Sequence, residues 1–208
     1  MVTVQAHPLT PQILLGLAAL AVLLFDSLRP NTRSDGVLAA LSAVGAIAAG
    51  AVAAWFSSAG TGQADTGGAI SEFGGALVVD GTSLFFTIII ASVTTLVVLG
   101  SYDFVREQNH GAAYYSLVML AAMGMSLMAS ANSLAVAFIA LELASLPSYA
   151  LVAFLKKNRG SVEGSIKYFL IGALSSAVLV YGISLVYAAT GSLEFAAVAD
   201  ALSGVESV

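Results

Sequence analysis

Glu142 stands in the apolar run Ala140-Leu141-Glu142-Leu143-Ala144-Ser145-Leu146-Pro147, with no other charged residue within nine positions on either side. An ionised carboxylate in hydrocarbon costs at least a few kcal/mol, so this group must be protonated, paired, or turned toward a hydrated cavity. Each of those states makes it a place where a proton can be taken up and released. The plainer alternative is a protonated Glu that only hydrogen-bonds a neighbouring helix. Ser145 and Tyr149 follow at i+3 and i+7, which predicts a polar stripe on one helix face, directed into a helix bundle rather than at lipid. Pro147 removes one backbone donor and frees the carbonyl of Leu143, predicting a kink and a water site one turn from the carboxylate.

The second candidate is Lys167, with Glu163 four residues before it in the favourable order for a helical ion pair. Lys167 has two readings. It can snorkel back to the headgroups as an anchoring pair with Glu163, or it can point inward, where Gly164, Gly172, Ser175 and Ser176 mark a side suited to close helix approach. Desolvation and mutual attraction act in opposite senses on a buried Glu and a buried Lys, so modest changes of distance or hydration move a proton between states. At 1.5 Å per residue, Glu142 and Lys167 are expected at depths differing by roughly 10 Å, so water or a further residue must connect them.

The elements that hold these groups follow from composition. Mean hydropathy is +0.95. Hydrophobic residues make up 59% of the chain and charged residues 9%, against roughly 25% charged in soluble domains. The solvent for most of this chain is therefore a bilayer. Six apolar stretches, at about 10–28, 36–56, 81–102, 112–129, 132–155 and 162–189, each suit a hydrocarbon core near 30 Å thick. The fold class expected is all-α: a polytopic integral membrane protein with six transmembrane helices. The first stretch lacks a basic n-region, carries Asp26 near its end and is followed by Arg29, so it reads as a retained anchor rather than a cleaved signal.

Several functions are excluded by what the chain lacks. A net charge of -5 without a basic arm argues against nucleic acid. With no cysteine there is no disulfide, thiolate zinc site or iron-sulfur ligation, so the chain itself is expected to bind no cofactor and no metal. His7 before the first helix and His110 in a loop read as solvated residues.

Orientation follows from the basic residues. Arg29 and Arg33, then Arg106, then Lys156, Lys157 and Arg159 fall in the first, third and fifth loops, whereas the second loop and the tail carry Asp65, Glu72, Glu194, Asp200 and Glu206. The positive-inside rule then predicts a multi-pass protein of the plasma membrane with both ends outside. The Gly- and Ser-rich segment 57–75 reads as a surface loop closing with a short extended piece at 76–79. Asp80, Asn132 and Ser161 are expected N-caps of the third, fifth and sixth helices. Tyr114 and Tyr115 suit a membrane interface, and Met119, Met123, Met125 and Met128 suit packing.

The run Leu141 to Phe154, followed by Glu163, Lys167-Tyr168-Phe169-Leu170 and Tyr181-Gly182, resembles the N subunit of proton-pumping NADH-quinone oxidoreductase, respiratory complex I, in order and spacing over about 130–195. Val79-Asp80-Gly81 fits less specifically. The resemblance implies an antiporter-like fold of inverted five-helix repeats, each with a broken helix and a mid-membrane lysine. Residues 1–111 would be an N-terminal three-helix region, and residues 112–208 the first three helices of a repeat, ending before the broken helix.

By the same resemblance, Glu142 looks like the coupling glutamate, and Glu163 with Lys167 like its charged partners in a proton relay. Quinone and NADH, or another donor, would be used by the whole complex, with other membrane-arm and peripheral-arm subunits and the lipid bilayer as partners. A chain of this extent is not expected to pump alone, being either a fragment of a longer reading frame or one piece of a split subunit. A multisubunit cation/proton antiporter or membrane-bound hydrogenase is the second reading, and a non-catalytic scaffold the third.

Overall fold

The computed structural model describes residues 7–28, 35–59, 70–108 and 110–203. The element order is α1 (Thr10–Leu28), α2 (Asp35–Ser58), β1 (Ile70–Glu72), a 3-10 turn at Phe73–Gly75, β2 (Leu77–Val79), α3 (Gly81–Gly100), α4 (Tyr102–Arg106), α5 (Gly111–Ala129), α6 (Leu134–Val152), α7 (Arg159–Thr190) and α8 (Phe195–Ser203). Among the described residues, six helices are long and apolar enough to cross a membrane: α1, α2, α3, α5, α6 and α7. They correspond to the six expected stretches. Arg29, Arg33, Asp65 and Glu206, on which part of the orientation argument rests, lie outside the described residues.

Helix association in lipid depends on close van der Waals packing, so small residues decide which faces meet. In α2 the stripe Ala39, Ala43, Ala46, Ala49 and Ala53 is buried, and α1 and α3 pack along that helix. α5 lies against α1, α2 and α3 with Ala112, Tyr115, Met119 and Ala122 buried, and turns another face to α6. The buried core falls in three clusters along this four-helix bundle, with Val22, Leu38, Val98 and Tyr115 at one level, Leu15, Ala46 and Met119 at the next, and Phe56, Leu77, Val79 and Leu84 at the third. Thr87 on α3 and Ser126 on α5 are joined by a buried 2.8 Å hydrogen bond, which satisfies both hydroxyls where water is scarce.

α3 starts as its sequence predicts. Asp80 accepts from the backbone N–H of Ser83 at 2.7 Å, and the Ser83 hydroxyl accepts from the backbone N–H of Asp80 at 2.9 Å, a reciprocal capping box. The other two caps are corrections. Ser133, not Asn132, caps α6, accepting from Val136 N–H. Asn132 donates its side-chain amide to Gly75 O at 2.8 Å, tying the helix entry to the hairpin. Asn158, not Ser161, caps α7, which starts three residues earlier than expected. Its carboxamide accepts from Gly160 and Ser161 N–H, leaving the Ser161 hydroxyl to donate to Val152 O at the end of α6. The cause is shared: Ser, Asn and Asp compete closely for a cap, and a neighbour one to three residues away can take it.

The extended piece at 76–79 is present as β2, paired antiparallel with β1 so that Ile70 faces Val79 and Glu72 faces Leu77. The hairpin is stitched to the helix ends around it. Asn132 N–H donates to Ala76 O, Val78 N–H to Ser130 O, Leu134 N–H to Leu193 O and Phe195 N–H to Asn132 O. His7 is not simply solvated: its Nε2 lies 3.6 Å from Glu72 at the hairpin, and its Nδ1 accepts from Leu9 N–H. Tyr114 stays at a helix end among aromatic rings, whereas Tyr115 is fully buried, because position 115 falls on the face of α5 that meets α1 and α2. Met119 and Met123 do pack between helices, while Met125 and Met128 are exposed on the opposite side of α5.

Candidate functional site

α6 presents two faces with different tasks. Ala140 and Pro147 are its buried residues, and with Ala144 they form the side that lies against α5. The approach there is close: a Cβ added to Gly124 would lie 2.5 Å from Ala144 N and 2.8 Å from the carbonyl carbon of Leu143. Only a glycine on α5 lets the two backbones come together at this point. Pro147 sits inside a continuous α6 on this same side, one turn beyond Leu143.

The other face carries Glu142, Ser145 and Tyr149, the stripe expected from their spacing, and Glu142 and Tyr149 meet α7. Glu142 is half-buried, and its Oε1 accepts a hydrogen bond from the Ser176 hydroxyl of α7. The Tyr149 ring packs edge-on to Tyr168 at 4.8 Å and to Phe169 at 5.7 Å. Its hydroxyl fills the space beside Gly172, where an added Cβ would lie 2.1 Å from that oxygen. The contacts run antiparallel, with Glu142 level with Ser176, Tyr149 with Gly172 and Tyr168, and Val152 with Ser161.

Lys167 is not brought to Glu142. Its ammonium lies 2.6 Å from Glu163 Oε1, and both side chains are largely exposed. Nine residues separate Lys167 from Ser176, which is about 13 Å along the axis and two and a half turns around it. Lys167 and Glu163 therefore project from the opposite side of α7 to the one that meets Glu142. Gly172 and Ser176, grouped above with the lysine face, belong instead to the stripe against α6.

Ser176 is the residue that sequence reasoning undervalued, having been counted as a small packing residue. The signal that finds it is the antiparallel register: once Tyr149 is set against Gly172, position 176 is the one that reaches position 142. A carboxylate held by a hydroxyl, with the rest of its surface half-open, can exchange a proton through that hydroxyl or through water. Ser145 and Ser148 return their own hydroxyls to the carbonyls of Leu141 and Ala144, so they are already satisfied within the helix. Among the described residues, no group of three or more His, Asp and Glu is placed to hold a metal ion.

Residues 131–207, which span α6, α7 and α8, match the family model described as NADH:quinone oxidoreductase/Mrp antiporter, TM. Along nearly the whole chain, it is 35% identical over 205 residues to NADH-quinone oxidoreductase subunit N 2 of Koribacter versatilis, covering 98% of this chain and 41% of that one. The chain belongs to this antiporter-like family. It spans about two fifths of the length of the curated relatives it matches. A second subunit N, from Trichlorobacter lovleyi, is 34% identical over 207 residues, with 98% and 40% covered. The F(420)H(2) dehydrogenase subunit N of Methanosarcina mazei is 40% identical over 128 residues, covering 62% of this chain and 26% of that one.

Among solved structures, respiratory complex I from Thermus thermophilus superposes with a TM-score of 0.70 at 30% identity, covering 89% of this chain and 38% of the chain it matches. The archaeal membrane-bound sulfane sulfur reductase gives a TM-score of 0.77 at 22% identity over 92% of this chain and 39% of that one, a likeness of fold alone. This family member is thus a polytopic, all-α membrane protein of the antiporter-like type found in the membrane arms of respiratory complexes.

Proposed function

We propose that this antiporter-like chain takes part in proton translocation coupled to quinone reduction, as part of a membrane-arm subunit of an NADH-quinone oxidoreductase or of a relative using another donor. The observation that carries the proposal is Glu142: a carboxylate mid-helix in a membrane protein, reached by the Ser176 hydroxyl of the next helix rather than by a cation. A group so placed is poised to change protonation when a neighbouring charge moves. Redox chemistry takes place elsewhere in the complex, and the chain supplies no electron carrier of its own.

In this reading Glu142 and Ser176 form the exchange site, and the Glu163–Lys167 pair is the charged group whose opening or closing alters the field at Glu142. The two lie on opposite sides of α7, so water or a further residue connects them. Residues 1–111 serve as the N-terminal three-helix region and residues from 112 onward begin the transport repeat. The basic loops face the cytoplasm and both described ends lie outside. Partners are the other membrane-arm and peripheral-arm subunits.

The test uses inverted membrane vesicles that contain the complete complex, following quinone-linked electron transfer and lumen acidification together. Glu142→Gln is expected to abolish acidification in complexes that still assemble. Unchanged acidification in the assembled variant would overturn the proposal and leave Glu142 as a packing residue.

A further inference from the structure

At the end of the bundle that carries the basic loops, the turn between α4 and α5 and the turn between α6 and α7 enclose an open concavity of about 390 Å3. Its polar wall is built by Lys156, Lys157, His110 and Asn158, with Glu107 as the single acid, and its apolar wall includes Phe154. Among the described residues, neither ammonium has a carboxylate within ion-pair distance. Arg106 and Arg159 flank the lining in sequence and are likewise exposed and unpaired there. The rim is therefore net positive, Glu107 being the one carboxylate set against these cations in the lining.

The apolar wall is rigid. Phe154 packs against Tyr114 at 5.2 Å and Phe104 at 6.1 Å, and those two rings lie 6.1 Å apart, so three aromatic rings from three segments brace one another. Phe104, Val152 and Val162, beside the lining in sequence, remain exposed. Unpaired cations beside exposed apolar side chains, at a helix end of a membrane protein, match a molecule that is anionic at its head and apolar along its tail. A soluble anion would use the cations and leave the apolar surface unexplained.

We propose that this pocket binds the phosphate headgroup of an anionic phospholipid, with Lys156 and Lys157 on the phosphate, His110 and Asn158 as further donors, and the acyl chains along Phe104, Val152 and Val162. The site lies on the short connection between α6 and α7, the two helices that meet at Glu142 and Ser176. A lipid seated there braces that connection, so the lipid around the complex bears on how α6 and α7 sit together.

The complete complex in vesicles, labelled with phosphatidylglycerol carrying a photoreactive group on its acyl chain and compared with the matching phosphatidylcholine, tests this. Adducts on residues 104–110 and 152–162 are read by mass spectrometry. Phosphatidylglycerol is expected to label these segments well above phosphatidylcholine, and Lys156→Gln with Lys157→Gln to lower that labelling on the order of tenfold. Lys156→Arg with Lys157→Arg is expected to retain it. Equal labelling by the two lipids would overturn the proposal, and that comparison needs no variant to fold. Displacement of the lipid by millimolar inorganic phosphate would assign the pocket to a free anion instead. Absence of lipid adducts, with cross-links from another subunit in their place, would make it a protein interface and would equally overturn it.

Discussion

The bundle of α1, α2, α3 and α5 and the pair α6–α7 are built on opposite plans. In the bundle, half of the apolar span of α5 is buried, and small residues interlock along whole helix faces. In the pair, none of the α7 span is buried. Among the described residues, α7 meets α6 along one narrow stripe and α8 near its end, and Glu163 and Lys167 project from another side. Yet the pair carries Glu142, Ser176, Glu163 and Lys167. Among the described residues, the bundle fixes where α6 stands, through the close approach at Gly124, and α7 presents charge on one side and a hydroxyl on the other.

The sharpest way to break this comparison is to attack the joint between the two plans. Gly124→Leu places a side chain against the backbone of α6, and overpacking of this kind costs about 1–3 kcal/mol or more. It is expected to reduce the amount of assembled complex severely, as seen on native gels, while the same change at Gly182, where an added Cβ meets nothing within 4 Å among the described residues, has little effect. Next is the stripe between α6 and α7. Gly172→Ala collides with the Tyr149 hydroxyl and is expected to lower thermal stability by about 1–2 kcal/mol. Combining it with Tyr149→Ala should recover part of that loss in a double-mutant cycle, whereas additive losses would show that the two residues do not meet.

A smaller effect on folding but a clear one on transport is expected from Ser176→Ala, which removes the donor to Glu142: acidification should slow several-fold with electron transfer and assembly retained. The smallest structural effect belongs to Glu163→Gln. The pair with Lys167 lies away from the contact with α6, so thermal stability should be nearly unchanged while acidification falls. A large loss of stability there would mean that the pair is a structural clamp.

Much of the architecture was legible in the sequence, because spans of this length and apolarity leave a bilayer-crossing helix as the form that satisfies its own backbone. The six spans and the Asp80 cap follow from residues near one another in the chain, and so does the stripe of Glu142, Ser145 and Tyr149. What was not legible depends on neighbours distant in sequence. Which of Asn132 and Ser133 caps α6 is decided by the hairpin, since Gly75 O claims the Asn132 amide. Tyr115 was expected beside Tyr114 at an interface, but the helix turns it into the bundle. The Ser176 contact with Glu142 needs the register of two helices, and that register is set by Tyr149 fitting beside Gly172, a fit that no periodicity announces.

The central claim is that Glu142 changes protonation during turnover while held by Ser176. Infrared difference spectroscopy of the complete complex, comparing oxidised and reduced states, reads this directly in the protonated-carboxyl region. The account predicts a carboxyl band that disappears in Glu142→Gln and shifts in Ser176→Ala. Difference spectra identical among native, Glu142→Gln and Ser176→Ala complexes would contradict it.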